Sequence, residues 1–525
     1  MKKYLLLAAL LLGFSFDLLF WGKTPGISFF IFIVLCLVSG FFLIKADHLH
    51  PAKASFLLII PILFLSIMSF IRKEPLTSFL NMFLTLFLMA VMSMTYLGGQ
   101  WTSFGIPDYA ANFFHLIGGM VSLPWLVSPD EGAQKEEAGF RTWMKNAQPA
   151  IRGVLLAIPV LLIFTALFSS ADLVFAKRIS ELAANLKLEN LPEYIFRGVL
   201  ILLVGYFFSG VILYAAKHSS SLHLIGKEKP IIPPFLGFTE TSIILGGVIA
   251  LFTVFVLIQI EYFFSGQANI TQQGFTYSEY ARRGFGELVA VAVFSIALIK
   301  SLSEISRIDT TNKRKVFTGF ALCLVALVLG ILASAFQRLY LYETAYGFSR
   351  TRAYAHVFII WLGLLLVSMV IMEITRRQRA FANVALMVIT GFAVSLNLLN
   401  VDKFIASNNI NRATQGEQLD TSYLSTLSSD AIPALVNSYS SDKFPPEIQE
   451  GIGASLVCYR EMTKNDTRAR DQWQSFHFSE RYATRDLQSI QPVLELYRVE
   501  DSSFPIIVVS PEGTEYPCQG ILYMD

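Results

Sequence analysis

The sequence predicts an all-α polytopic membrane bundle of about 11 transmembrane helices, followed by a small α+β C-terminal unit. Three observations predict it. Apolar stretches of spanning length recur from Tyr4 to about Val401, the Lys and Arg clusters between them are denser on every second connection, and the chain ends in a polar tail. The expected organisation is a transmembrane helical domain over 1–401 and a polar acidic domain over 402–525.

The chain is 54% hydrophobic and 15% charged, with 45 Phe, whereas soluble globular chains carry roughly a quarter charged residues. A hydrocarbon core about 30 Å thick needs about 20 apolar helical residues. Stretches of that kind run from Ile27 to Ile44, Ala54 to Ile71, Leu76 to Tyr96, Gly153 to Ala171 and Gly198 to Ala216. Others follow from Thr241 to Ile260, Gly284 to Ile299, Val316 to Gln337, Ala353 to Met372 and Ala380 to Val401. Met1 to Trp21 starts with Lys2 and Lys3 before an apolar run, as a signal peptide would. Asp17 and the lack of an Ala-x-Ala site favour a retained first span.

Basic residues concentrate on the cytoplasmic side of a membrane protein. The denser clusters are Lys2 and Lys3; Lys45 and Lys53; Arg141, Lys145 and Arg152; Lys217, Lys227 and Lys229; Lys300 to Lys315; and Arg376, Arg377 and Arg379. They place the N-terminus in the cytoplasm and the C-terminus outside it. Tyr109 to Pro129 is long enough to span but holds Asn112, His115, Gly118, Gly119 and Pro124. Counting it as a span would put the Lys300–Lys315 cluster outside, so an interfacial or re-entrant segment is expected.

From Asp402 onward the tail has 10 basic and 18 acidic residues, a net charge of −8. Repulsion from an anionic lipid surface would make it stand off the membrane or pack on basic external loops. Tyr423, Leu424, Leu427 and Leu435 have helical spacing over Thr421 to Ser438. Phe504 to Ser510 and Thr514 to Met524 read as two strands around a Pro-Glu-Gly turn. Cys36 and Cys323 lie in apolar spans and are expected to pack as small hydrophobes. Cys458 and Cys518 are the tail's only cysteines; an oxidising compartment would permit a disulfide between them, and two unrelated buried thiols are the alternative.

Two external connections carry dense polar and aromatic patterns. In the first, Glu279, Arg283 and Glu287 are successive i, i+4 neighbours beside Tyr277, Tyr280 and Arg282. A carboxylate at the depth of Glu287 is costly unless paired, and Arg283 is its natural partner. In the second, Tyr342 and Tyr346 follow Arg338 at one-turn intervals, Glu343 lies between them, Gly347 breaks the helix, and Arg350 and Arg352 precede Tyr354 and His356. Arginines on the translocated side suit an anionic headgroup or phosphate; the plainer reading is a structural clamp with Arg and Tyr side chains snorkelling at an interface.

Tyr-Ser-Glu-Tyr-Ala-Arg-Arg-Gly-Phe (277–285), the string 338–352, Asn400-Val-Asp-Lys-Phe-Ile-Ala and the segment 419–435 together resemble a bacterial multipass membrane-protein family catalogued as a domain of unknown function. The resemblance covers roughly residues 150–440. It implies a membrane-bundle fold in a bacterial plasma (inner) membrane and brings no activity with it.

No His or Cys cluster has zinc spacing, and no phosphate loop or nucleophile elbow is present. No metal and no cofactor is therefore expected, and nucleic-acid binding has no support. The expected partners are the lipid bilayer, an anionic lipid or envelope precursor, and an envelope protein held by the acidic tail. Three functions compete. They are transport or handling of an anionic or lipid-linked substrate at the outer leaflet, ranked first, an enzyme on a membrane-embedded substrate, and a non-catalytic envelope sensor or assembly factor.

Overall fold

The computed structural model describes residues 2–126, 191–220, 232–265, 285–441, 443–464, 472–500 and 506–518, with 224–225 and parts of 164–178. Among them, nine helices are long and apolar enough to cross a membrane. A shorter apolar helix, Tyr4–Phe20, precedes them. The expected span over 153–171 lies largely outside the described residues, so the expected count of about 11 is matched only as far as these.

The helices of the bundle are α1 Lys2–Phe20, α2 Ile27–Lys45, α3 Lys53–Leu57, α4 Ile59–Ile71, α5 Pro75–Met94, α6 Ile106–Leu126 and α7 Leu191–Lys217. They continue as α8 Phe238–Ser265, α9 Phe285–Ile305, α10 Thr311–Tyr346, α11 Arg350–Ile374 and α12 Phe381–Leu399. Two helices depart from the expected boundaries. The stretch from Ala54 breaks at Leu58, because Pro61 cannot donate to the carbonyl of Leu57 four residues back and its ring crowds that carbonyl. Helix α10 has 36 residues, about 54 Å at 1.5 Å per residue, so its last turns project beyond the hydrocarbon core. The ambiguous segment near Tyr109 is a helix, α6, whose first turn is held by Asp108: Gly105 N donates to Oδ2 and Ile225 N to Oδ1, each at 2.7 Å.

Small residues let the helices approach. A Cβ on Gly13 would lie 2.1 Å from the carbonyl oxygen of Ile201, and one on Gly205 would lie 2.7 Å from that of Ala9. Helices α1 and α7 therefore cross backbone to backbone, as small residues permit in membranes. Near this contact Asp17 is only 4% exposed. Arg197 grips it through Nε at 2.9 Å and Nη2 at 2.5 Å.

The connections sort into two layers. On one face Ile27 N donates to Phe476 O at 3.0 Å, Lys73 N to Asp430 Oδ2 at 2.8 Å and Phe348 N to Asn409 Oδ1 at 2.7 Å. The loops after α1, α4 and α10 thus all meet the C-terminal tail. At the other face Ala52 N donates to Tyr96 O at 2.8 Å, Gly98 N to Ser219 O at 3.1 Å and Lys300 Nζ to Gln378 O at 3.3 Å. Among the described residues, these connections hold the basic clusters of Lys45 and Lys53, Lys217, Lys300 and Arg376 to Arg379.

The tail starts where Asn400 takes φ 52° and ends α12, a left-handed cap that Asn tolerates. It contains α13 Val401–Ala413, α14 Thr421–Ser425, α15 Ile432–Tyr439, α16 Pro446–Thr463, α17 Phe478–Ser489 and α18 Gln491–Leu494. The single helix expected over Thr421 to Ser438 is split, because between α14 and α15 Asp430 N donates to Ser428 Oγ and Ser428 Oγ donates to Asp430 Oδ2, a local competitor of helix. Strands β1 Arg498–Glu500, β2 Ile507–Val509 and β3 Glu515–Pro517 form one antiparallel sheet in that order. The β2–β3 hairpin pairs Val508 with Tyr516 around Gly513 at φ 92°. β1 is an addition to the two expected strands; Arg-Val-Glu is too short and charged to announce an edge strand. Cys458 of α16 is disulfide-bonded to Cys518, with Cα atoms 5.4 Å apart. Of the other two cysteines, Cys36 is buried as expected, whereas Cys323 is exposed on the bundle surface.

Tail and bundle share one hydrophobic core. Ile405, Leu424, Leu435, Ile452, Leu456 and Val508 are buried in the same cluster as Ala353 of α11 and Leu396 of α12.

Candidate functional site

The string 338–352 ends α10, turns and begins α11. Gly347 makes the turn at φ 82°, and a Cβ there would lie 2.7 Å from Arg412 Nη1 and 2.9 Å from Asn409 Oδ1. Helix α13 closes over it: Asn409 Nδ2 donates to Phe348 O at 2.9 Å, and Arg412 Nη2 donates to Thr344 O at 2.8 Å and Ala345 O at 3.2 Å. A cation on the last carbonyls of a helix is where the macrodipole favours it.

Arg350 follows. Its Nε donates to Asp402 Oδ1 at 2.8 Å and its Nη2 to Oδ2 at 2.7 Å. Nη2 also reaches Thr426 O at 3.1 Å, and Arg350 N donates to Tyr423 Oη at 2.8 Å. Asp402 is fully buried and accepts a further bond from Ser428 N at 2.7 Å. A bidentate pair of this kind is both strong and geometrically exacting. It joins α11, α13 and the loop before α15 at one point.

Two more buried carboxylates belong to this junction. Glu74 caps α5, accepting from Leu76 N at 2.9 Å and Thr77 N at 2.8 Å, and Tyr354 of α11 donates to it. Asp430, 4% exposed, accepts from Lys73 N at 2.8 Å and Glu74 N at 3.0 Å, with Arg72 Nη1 at 4.0 Å. Burial pushes the Asp430 carboxyl up to about 6, against the pull of those amides and of Arg72. Nearby, Lys73 Nζ lies 3.1 Å from Glu480, and the ring of His477 meets Pro25 O at 3.0 Å. Burial and the Lys73 charge lower the His477 imidazole to about 4.

The remaining candidates point elsewhere. Arg338 donates to Gln259 of α8, which also accepts from Ser334 at 3.0 Å. Glu343, 3% exposed, faces α11, where His356 Nδ1 lies 3.2 Å away and Phe336 meets the same imidazole edge-on at 4.5 Å. Tyr342 and Tyr346 have ring centroids 4.9 Å apart. The Arg352 guanidinium sits over Tyr342 at 4.1 Å and donates to the carbonyls of Tyr346 and Gly347. Glu287 is exposed in the first turn of α9. Tyr277, Glu279, Tyr280, Arg282 and Arg283 lie outside the described residues, and so does their expected pairing.

The motif therefore directs its side chains to α8, α11 and α13 in turn. Glu74, Tyr354, Asp402, Tyr423 and Asp430 complete the junction and were not among the expected site residues. Asp402 and Asp430 did lie inside the polar strings at 400–406 and 419–435. Glu74 gave only the signal of an N-cap, an acidic residue before Pro75.

The model of a domain of unknown function, DUF4153, matches residues 59–438. The chain belongs to that family. The match begins well before the expected start near residue 150 and so includes α4 and α5, whose connection carries Glu74. Its end at residue 438 falls in α15, so α16–α18 and the sheet lie beyond the shared region. Neither the curated proteins nor the solved structures contain a match.

Proposed function

We propose that this membrane protein is a non-catalytic envelope sensor or assembly factor, in which the C-terminal unit engages a partner and the bundle is coupled to it. The Arg350–Asp402 pair carries this reading. Two of the arginines that suggested an anion site are engaged by the protein itself: Arg350 by a buried carboxylate, and Arg352 by an aromatic face and two carbonyls. A motif used in this way braces the tail on the bundle. The tail in turn presents Trp473, Tyr482 and Leu496 to its surroundings, and aromatic residues of this kind anchor protein interfaces. The tail side is read as extracytoplasmic in a bacterial plasma membrane, since the opposite connections hold the denser basic clusters and the disulfide suits an oxidising compartment.

The second reading, handling of an anionic or lipid-linked substrate at the outer leaflet, draws on the Glu343–His356 pair. His356 Nε2 is buried with no hydrogen-bond partner among the described residues. Complementation of a deletion strain under envelope stress separates the two. At matched membrane levels, the surface pair Trp473→Ala and Tyr482→Ala should lose function, while Glu343→Gln and His356→Gln should retain it. The reverse pattern overturns the sensor reading in favour of substrate handling.

A further inference from the structure

We infer that the bundle holds one acyl chain of an anionic glycerophospholipid in a side-opening cavity between α2, α5, α6 and α7, on the half of the membrane away from the tail. The cavity has a volume of about 430 Å³. That is roughly three times the 150 Å³ or so that accommodates benzene in an engineered apolar cavity, and so suits a chain of on the order of 16 carbons.

Its depth follows from the residues that line it. They come from the second halves of α2 and α5, from Ser55 and Phe56 of α3, and from the last turns of α7. These segments all lead to the face where Ala52 bonds Tyr96 and Gly98 bonds Ser219. The walls have two characters. Ile44, Leu116, Ile212 and Ala215 are buried and form the floor, whereas Phe41, Phe56, Leu86 and Ile117 are 40–54% exposed. The exposed set marks a mouth that opens sideways into lipid rather than into water. A bilayer lipid can enter by lateral diffusion, leaving its headgroup at the interface.

Two further features select the occupant. The lining is apolar apart from three hydroxyls and a thiol. Ser55 donates to Thr95 O at 2.6 Å and Ser93 to Met89 O at 2.8 Å. The third hydroxyl is that of Tyr96, a residue 6% exposed, and its Oη is buried with no hydrogen-bond partner among the described residues. A buried phenol usually finds a partner. Tyr96 lies just beyond the end of α5, at the interface, which is the level of a glycerolipid's ester carbonyls; a phenol there can donate to one. The connection beside the mouth carries two lysines against one carboxylate, Asp47. Lys45 Nζ stands 5.8 Å from the centroid of Phe41, and Lys53 is exposed two residues before Ser55. Basic residues at the headgroup level favour an anionic lipid.

The test uses the full chain, purified in mild detergent, delipidated and titrated with phosphatidylglycerol while native mass spectrometry counts retained lipid. One lipid per chain should survive in wild type. Ala90→Trp, which fills the cavity from α5, should cut retention at least tenfold, and Tyr96→Phe should cut it several-fold. Phosphatidylcholine of the same chain length should bind more weakly than phosphatidylglycerol. A melting curve shows whether Ala90→Trp is folded; if it is not, Tyr96→Phe and the headgroup comparison decide. Retention by folded Ala90→Trp equal to wild type would overturn the assignment. So would equal retention by Tyr96→Phe, equal binding of the two headgroups, or binding of a free fatty acid in preference to the phospholipid.

Discussion

Arg350 opens α11 and Asp402 lies in the first turn of α13, 52 residues later, yet their side chains meet in two parallel hydrogen bonds of 2.8 and 2.7 Å. One residue starts a membrane helix and the other starts the tail. Asp402 alone would be a buried carboxylate left with the Ser428 amide, and Arg350 alone a guanidinium left with the Thr426 carbonyl.

Removal of one partner should therefore cost more than removal of both. Arg350→Ala or Asp402→Ala should each destabilise by about 3–5 kcal/mol, the usual range for breaking a buried pair. An apolar replacement of both, Arg350→Met with Asp402→Leu, should recover much of that loss. Thermal melts in detergent measure the cycle, and purely additive losses would show that the two side chains are not coupled.

Asp430 and His477 should give opposite pH dependences. The folded Asp430 carboxyl is raised to about 6 from 3.8, so the folded state binds its proton more tightly. Its contribution is present below pH 4 and is lost as pH rises through 6. The folded His477 imidazole is lowered to about 4 from 6.5, so its contribution is present above 6.5 and is lost as pH falls towards 4. Relative to wild type, Asp430→Asn should gain stability between pH 4 and pH 7 by up to about 3 kcal/mol, because a tenfold difference in proton affinity between the folded and unfolded states is worth about 1.4 kcal/mol. His477→Gln should lose relative stability over the same rise. Melting temperatures at pH 4.5 and 7 decide, and parallel curves for all three proteins would refute the assignment.

The Cys458–Cys518 bond closes 60 residues of the tail. In the chain-entropy account a loop of this length stabilises by about 4 kcal/mol. Cys458→Ala with Cys518→Ala should lower the stability of the tail by that order and increase its proteolysis. Peptide mass spectrometry without reductant should recover the linked pair from native membranes, and free thiols at both positions would count against it.

Labelling from outside intact cells should distinguish the two loop layers. With Cys36 and Cys323 replaced, Glu512→Cys should react with a membrane-impermeant maleimide in whole cells. His50→Cys should react only after permeabilisation. The opposite result inverts the proposed orientation while leaving the two layers intact.

What the sequence determined by itself is what depends on local runs and local charge. Stretches such as Ile27–Ile44 and Thr241–Ile260 must be buried in lipid wherever the rest of the chain lies, and the basic clusters that lie among the described residues fall in one of the two loop layers. The turn at Gly513 was legible for the same reason, since the Pro-Glu-Gly signal is contiguous. The break at Leu58 has its cause in Pro61, although the apolar run from Ala54 to Ile71 reads as one continuous span. Tertiary structure alone decided what happens to the charges. Arg350 looked open to an anion because its partner is 52 residues away, and the partner that buries Asp17, Arg197, is 180 residues away. A charge becomes buried or free only when distant segments converge, and no periodicity records that distance. The cavity beside Tyr96 is a still stronger case: it exists because the helices around it leave one volume unfilled, and the Tyr96 hydroxyl that lines it has no hydrogen-bond partner among the described residues.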